Sequence, residues 1–199
     1  CGIVWCYTGA HDRAGEVLEP VKTFGSPLVV GLQAMPFSVL QGAFDALNPA
    51  GLQHYWKADF FNEISDAAID VHVKYGAQLP TGLSAMHLHP IDGAASRVPG
   101  DATAFAYRDG GWAGVIIGTD PDPANAGRIS QWARDYWEEL HPASAGGAYV
   151  NFMMSEGQDR VEAAYRGNYD RLAHVKKRYD PDNVFHINQN IQPAGRPGA

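Results

Sequence analysis

The run Ile129-Ser-Gln-Trp132-Ala133-Arg-Asp-Tyr136-Trp137-Glu-Glu-Leu140 places its apolar residues at i, i+3, i+4, i+7, i+8 and i+11. At that spacing they share one face of an α-helix. Their Trp and Tyr side chains therefore read as core, not as binding groups. Just upstream, Trp112-Ala-Gly-Val-Ile-Ile-Gly118 is a short apolar run with β-branched residues at its centre, which reads as a strand. A strand and a helix in succession, each with a face to bury, point to an α+β domain around one core.

Working outward, Gln53–Phe60, Leu83–Ile91 and Thr103–Tyr107 read as further strands, the last joined to Trp112 through the turn Asp109-Gly110-Gly111. Ile3, Val4, Trp5 and Tyr7 form another strand pattern at the start of the chain. Val17, Leu18, Val21 and Phe24 give a short helical face that Pro20 kinks or confines. Phe37, Leu40, Phe44 and Leu47 give a second, with Pro36 in its first turn and a stop at Asn48-Pro49. Ile64, Ala68, Val71 and Tyr75 give a third. The expected architecture is an antiparallel sheet with helices packed on one face, plus a C-terminal helical segment and tail. The other face is left to cover a ligand or partner.

At 199 residues and 45% hydrophobic content the chain is long enough for one sizeable core. A net charge of -7 argues against a nucleic-acid or anionic-membrane surface. No apolar run approaches the roughly 20 residues of a membrane span. Cys1 and Cys6 sit too far apart along an extended segment to bridge each other, which leaves the compartment open and favours a reducing, cytoplasmic one. His87-Leu-His89 sets two imidazoles on one strand face without a third ligand nearby, so no metal is expected. G-x-G-x-x-G, P-loop, G-x-S-x-G and H-E-x-x-H patterns are absent.

Polar groups gather near the C-terminus. Tyr149-Val-Asn151, entered through Gly146-Gly147, reads as a strand with Ala148, Val150 and Phe152 on one face and Tyr149, Asn151 and Met153 on the other. After a helix closed by Asp180-Pro181, Asn188-Gln189-Asn190 offers consecutive carboxamides, each both donor and acceptor. Such uncharged groups suit the edge of a flat heterocycle; they suit equally a tail pinned to the body of the domain. Lys176, Lys177 and Arg178 sit where cations complement a helix dipole and read as a cap. His186 beside the carboxamides reads as solvated.

The pattern Tyr149-x-Asn151, Asp159-Arg160-Val161, Ala163-Ala164-Tyr165, Asn168-Tyr169-x-Arg171-Leu172, Lys176-x-Arg178-Tyr179-Asp180-Pro181-x-Asn183-x-Phe185 and Asn188-Gln189-Asn190-Ile191 resembles the C-terminal end of berberine-bridge-enzyme-like FAD-linked oxidases. The likeness extends upstream through Tyr55-Trp56-Lys57-x-Asp59-Phe60, Pro90-x-Asp92-Gly93-Ala94 and Val98-Pro99-x-Asp101-Ala102-Thr103-Ala104-Phe105. It implies a substrate-binding (cap) domain over residues 1–145, a berberine-bridge-like segment over 146–193 and a flexible tail over 194–199. The implied cofactor is FAD, contributed mainly by an N-terminal FAD-binding domain that is the missing partner of this chain. The chain opens at Cys1, inside a strand pattern, and so reads as an excised piece, inactive alone.

The resemblance further implies oxidation of a small-molecule alcohol, sugar hemiacetal or secondary-metabolite hydroxyl, with dioxygen as electron acceptor. Tyr149 would take the hydroxyl proton, and Asn151, Asn188, Gln189 and Asn190 would contact the flavin. A phenol is a poor base at neutral pH without help from a cation or hydrogen bond; Lys57, Arg97 and Arg108 are candidate cations. Plant-type relatives carry Glu or Gln on the strand resembling Ala113–Ile117, where Ile116 stands here. That departure favours the tyrosine-based type. A second class stays open: a stand-alone ligand-binding or dimerisation module that uses the exposed sheet as a homodimer face.

Overall fold

The computed structural model describes residues 1–109 and 111–195. The chain divides into two compact units, Cys1–Pro49 and Ala50–Ala199. In the first, helix α1 (Ala14–Lys22) carries Pro20 inside it, and α2 (Phe37–Gly42) starts after Pro36. The strand expected through Ile3, Val4, Trp5 and Tyr7 has no regular secondary structure. Its β-propensity finds no ladder to join among the described residues, and an unpaired strand has little to hold it.

The second unit is built on strands β1 (Gln53–Phe61), β2 (Ala85–Pro90) and β3 (Trp112–Asp120), with helices α3 (Asp66–Gly76), α4 (Gly93–Ser96), α5 (Ala126–Leu140), α6 (Gln158–Tyr165) and α7 (Tyr169–Tyr179). The sheet order is β1-β3-β2, both pairings antiparallel. Register sets Lys57 and Met86 opposite Ile116, and Ala58 and His87 opposite Val115. Tyr55, Phe61, Met86, Leu88, Trp112 and Ile116 therefore share one face.

That face is covered by α3 and α5. The amphipathic run behaves as its spacing requires: Ile129, Trp132, Ala133, Tyr136 and Leu140 are all buried. Trp132, Ala133, Tyr136 and Leu140 pack with Phe61, Ile116 and, from α3, Ala68 and Tyr75. Tyr75 stacks on Tyr136 with ring centroids 4.6 Å apart, and Ser65 caps α3 by accepting the Ala68 N–H. Gly118 permits the close approach of α5, because a Cβ there would stand 2.6 Å from the Ile129 carbonyl oxygen.

Two other expected strands are corrected. Thr103–Tyr107 forms a loop: its aromatic residues pack on Phe60 through their rings, with Tyr107 stacked at 4.0 Å, and no backbone ladder forms. Gly110, at the centre of the expected turn, lies outside the described residues. Ala148–Met153 is not a strand either. Ala145 and Gly147 exchange hydrogen bonds of 2.7 Å with Phe60 on the outer edge of β1, and the chain then curls into a 3-10 turn over Val150–Phe152. The turn is why Ala148 and Met153, assigned to opposite faces by alternation, are buried in one cluster.

Candidate functional site

Opposite the helices, β1 presents His54, Trp56, Ala58 and Phe60, β3 presents Ala113, Val115 and Ile117, and β2 presents Ala85, His87 and His89. The chain's own C-terminal segment covers part of this face: Ala148 and Met153 bury Ala58 and Val115, while Phe105 and Tyr107 cover Phe60. His87 and His89 on β2 and His54 at the start of β1 stay exposed on this face. The Phe152 ring joins the two parts, 5.0 Å from Tyr149, 5.4 Å from His89 and 6.3 Å from Trp56. His87 and His89 lie 5.9 Å apart. Burial, and then the neighbouring charge of His89, lower the pKa of His87 below the ordinary imidazole value. Among the described residues no cluster of three His, Cys, Asp or Glu forms that could hold a metal.

Tyr149 enters the turn at the lip of this face. Its ring is half-buried against Phe105 and Phe152, and its phenol oxygen accepts a 2.8 Å hydrogen bond from Asn151 Nδ2. The structure thus joins Tyr149 and Asn151 through a turn instead of a strand face. Gly146 adopts φ 88° and Gly147 has no room for a side chain, since a Cβ would meet the Tyr107 hydroxyl and the Ala163 carbonyl oxygen.

The carboxamide run comes back to the same segment. Gln189 Nε2 donates to the carbonyl oxygens of Met153 and Met154 at 2.9 and 3.2 Å, so its donors are committed to the backbone. Asn188 is exposed at φ 60°, and its carbonyl oxygen accepts the Asn190 N–H. The Asn190 carbonyl oxygen accepts from Gln158, which also donates to Tyr169. Among the described residues the side chains of Asn188 and Asn190 have no hydrogen-bond partner. The run both pins the tail and leaves amide groups free. The tail itself is tied at Ala194, whose N–H donates to Ala173.

The candidate cations are elsewhere. Lys57 pairs with Glu156 at 2.6 Å and lies over the Trp137 ring. Arg108 donates to the carbonyl oxygens of Phe105 and Ala95, and Arg97 closes α4. Lys176 bonds Asp180 and the Phe185 carbonyl oxygen, capping α7. Ile116 is buried on the helix side, so the β3 positions facing Tyr149's side of the sheet are Val115 and Ile117. A cleft of about 620 Å³, open to solvent, is lined by Asn62, Pro90, Ile91, Asp92, Arg108 and Trp112; Tyr149 packs against the cluster that contains Ile91 but does not line the cleft.

One constellation was not foreseen from sequence. Asp59, almost wholly buried on β1, accepts from His141 at 2.7 Å and from Arg160 at 3.0 Å. Arg160 also donates to the carbonyl oxygens of Ala58 and Gly146. Burial pushes the Asp59 carboxyl up, opposed by His141 and Arg160. The signal was present: a carboxylate between Ala58 and Phe60-Phe61 in an apolar strand requires a buried partner.

Residues 148–192, which include Tyr149, Asn151 and the carboxamide run, match the family model described as berberine and berberine like. The chain is 28% identical over 189 residues to a FAD-linked oxidoreductase of Dictyostelium discoideum, covering 94% of this chain and 41% of that protein. It is 32% identical over 218 residues to a FAD-linked oxidoreductase of Aspergillus ruber, covering 100% of this chain and 43% of that one. The fold is similar to that of wild-type BBE-like 1 from Physcomitrella patens, with a TM-score of 0.74 at 19% identity over 96% of this chain and 44% of the other. The chain thus spans less than half the length of these relatives. Residues 148–192 thus form a berberine and berberine-like segment, and along its length the chain is similar to FAD-linked oxidoreductases.

Proposed function

We propose that this chain is the substrate-binding and C-terminal portion of an FAD-dependent oxidoreductase that oxidises an alcohol, a sugar hemiacetal or a secondary-metabolite hydroxyl. Residues 1–145 serve as the substrate-binding part, 146–193 as the segment that carries the proton-handling and flavin-facing groups, and 194–199 as a tail. The observation that carries this reading is the Tyr149 phenol at the lip of an aromatic sheet face, its oxygen held by Asn151.

The residues fit a flavin as one wall of its site. Asn151, Asn188 and Asn190 offer uncharged donors and acceptors to a heterocycle edge, whereas Gln189 fits only through its oxygen. The indole N–H of Trp56 is shielded from solvent and without a partner among the described residues. When bound, the flavin supplies the hydride acceptor and passes the electrons to dioxygen. The chain's own part is narrower. Trp56, Phe152 and Tyr149 give a flat substrate an aromatic wall, Tyr149 in its ionised form accepts the hydroxyl proton, and the Asn151 bond fixes the phenol oxygen.

The test begins with the reading frame around this chain. The encoded protein is expected to be yellow with bound FAD, and Tyr149→Phe to lower kcat by about 10²–10⁴-fold at unchanged flavin content. Full turnover in Tyr149→Phe would remove Tyr149 from the chemistry. A colourless protein whose frame opens near Cys1 would instead support a stand-alone module that dimerises through the sheet.

A further inference from the structure

We propose that Arg160 is a positioning residue for Tyr149: its guanidinium, held by Asp59, fixes the turn that presents the phenol. The inference rests on the reading of Tyr149 as proton acceptor, but its geometry stands apart from that reading.

The segment leading into Tyr149 is held to the sheet by a very short ladder. Ala145 N–H donates to the Phe60 carbonyl oxygen and Phe60 N–H to the Gly147 carbonyl oxygen, both at 2.7 Å, after which the chain leaves the edge. Two bonds specify register weakly. Arg160 reaches from α6 across this junction. One nitrogen donates to Gly146 on the segment at 3.2 Å; the other donates to Ala58 on β1 at 2.8 Å and to Asp59 at 3.0 Å. One planar group thus grips both partners of the ladder, with a geometry that lysine cannot reproduce.

The surroundings hold the guanidinium in turn. The Arg160 side chain is 15% exposed, its Nε lies 3.6 Å from Glu156, and it stands over the Trp137 ring. Glu156 is itself paired with Lys57. His141 takes the second oxygen of Asp59 and is contacted by Ser144. Buried ion networks of this kind add little net stability, because desolvation offsets the attraction; their best-attested role is to select one register. Here the selected register decides where Tyr149 emerges.

The experiment compares wild type, Arg160→Lys and Arg160→Met by residue-resolved amide hydrogen exchange and by NMR of ring-labelled tyrosine, with Tyr149→Phe identifying the Tyr149 signal. In Arg160→Met, exchange over 147–153 should rise roughly tenfold or more while β3 and α5 keep their protection. The Tyr149 ring signal should move toward that of a solvent-exposed tyrosine. Arg160→Lys, which keeps the charge and is the milder variant for folding, should shift both readouts the same way by less. Unchanged exchange and ring signal in both variants would overturn the proposal. So would an equal rise over the whole unit, which would mark Arg160 as a general stabiliser. If Tyr149→Phe kept full turnover while these shifts appeared, the functional reading would fail and the positioning would stand.

Discussion

The two faces of the three-stranded sheet are made from alternate residues of the same strands, yet they are finished differently. The face under α3 and α5 closes with ring on ring and backbone near backbone, as Tyr75 on Tyr136 and Gly118 under Ile129 show. The opposite face is covered in part, where Ala148, Phe152 and Met153 lie over β1 and β3, and it leaves His87 and His89 of β2 and His54 of β1 exposed. The difference teaches that one face is sealed by two helices, while the other is covered by loops over β1 and β3 and left exposed at its imidazoles.

The sharpest way to break that comparison is to hollow the helix side. Phe61→Ala should cost about 3–5 kcal/mol of unfolding free energy, measured by urea denaturation, because it removes a wholly buried ring from the α3–α5 core. A loss below that of a surface substitution would mean this face is not the core. Gly118→Ala should cost about 1–3 kcal/mol, since the new methyl meets the Ile129 backbone. Thermal unfolding at the wild-type temperature would exclude the close approach of α5.

A smaller effect separates the faces by pH. Burial lowers the pKa of His72, which contacts the Tyr136 hydroxyl on the helix side, below the ordinary value of 6.5. The unfolded chain takes up its proton first. His72 therefore contributes stability that is fully present above 6.5 and lost as pH falls through the folded value. His72→Gln should flatten the fall in stability on acidification; an unaltered slope assigns the fall to other groups. Least of all, His89→Ala on exposed β2 should change stability by roughly 0.5 kcal/mol or less. A loss like that of Phe61→Ala would show this strand's outward face to be core as well.

Legibility followed the same division. The α5 stripe and the strands at β1, β2 and β3 were plain in the spacing, because packing on a single face enforces the period. Tyr149-x-Asn151 was readable as a pair but not in its form. An alternating pattern does not reveal that the ladder stops at Gly147, or that a turn then brings Phe152 and Met153 back to the sheet. Asp59 and Arg160 were visible as residues, each inside a quoted motif, but their pairing spans a hundred positions and only the folded chain discloses it. That Ile116 faces the helices was likewise not legible, because which alternate residues of β3 do so depends on where α3 and α5 lie.

The edge contact between β1 and the late segment also governs how the molecule is made. Arg160 meets Ala58 across 102 positions of sequence. At about 5–20 residues per second of synthesis, β1 waits roughly 5–20 s after leaving the ribosome for the groups that close its outer edge. Through that interval the strand Gln53–Phe61 shows an unpaired backbone beside Trp56 and Phe60, a template for intermolecular pairing. A nascent chain must keep that edge shielded until Ala145, Gly147 and Arg160 arrive to close it.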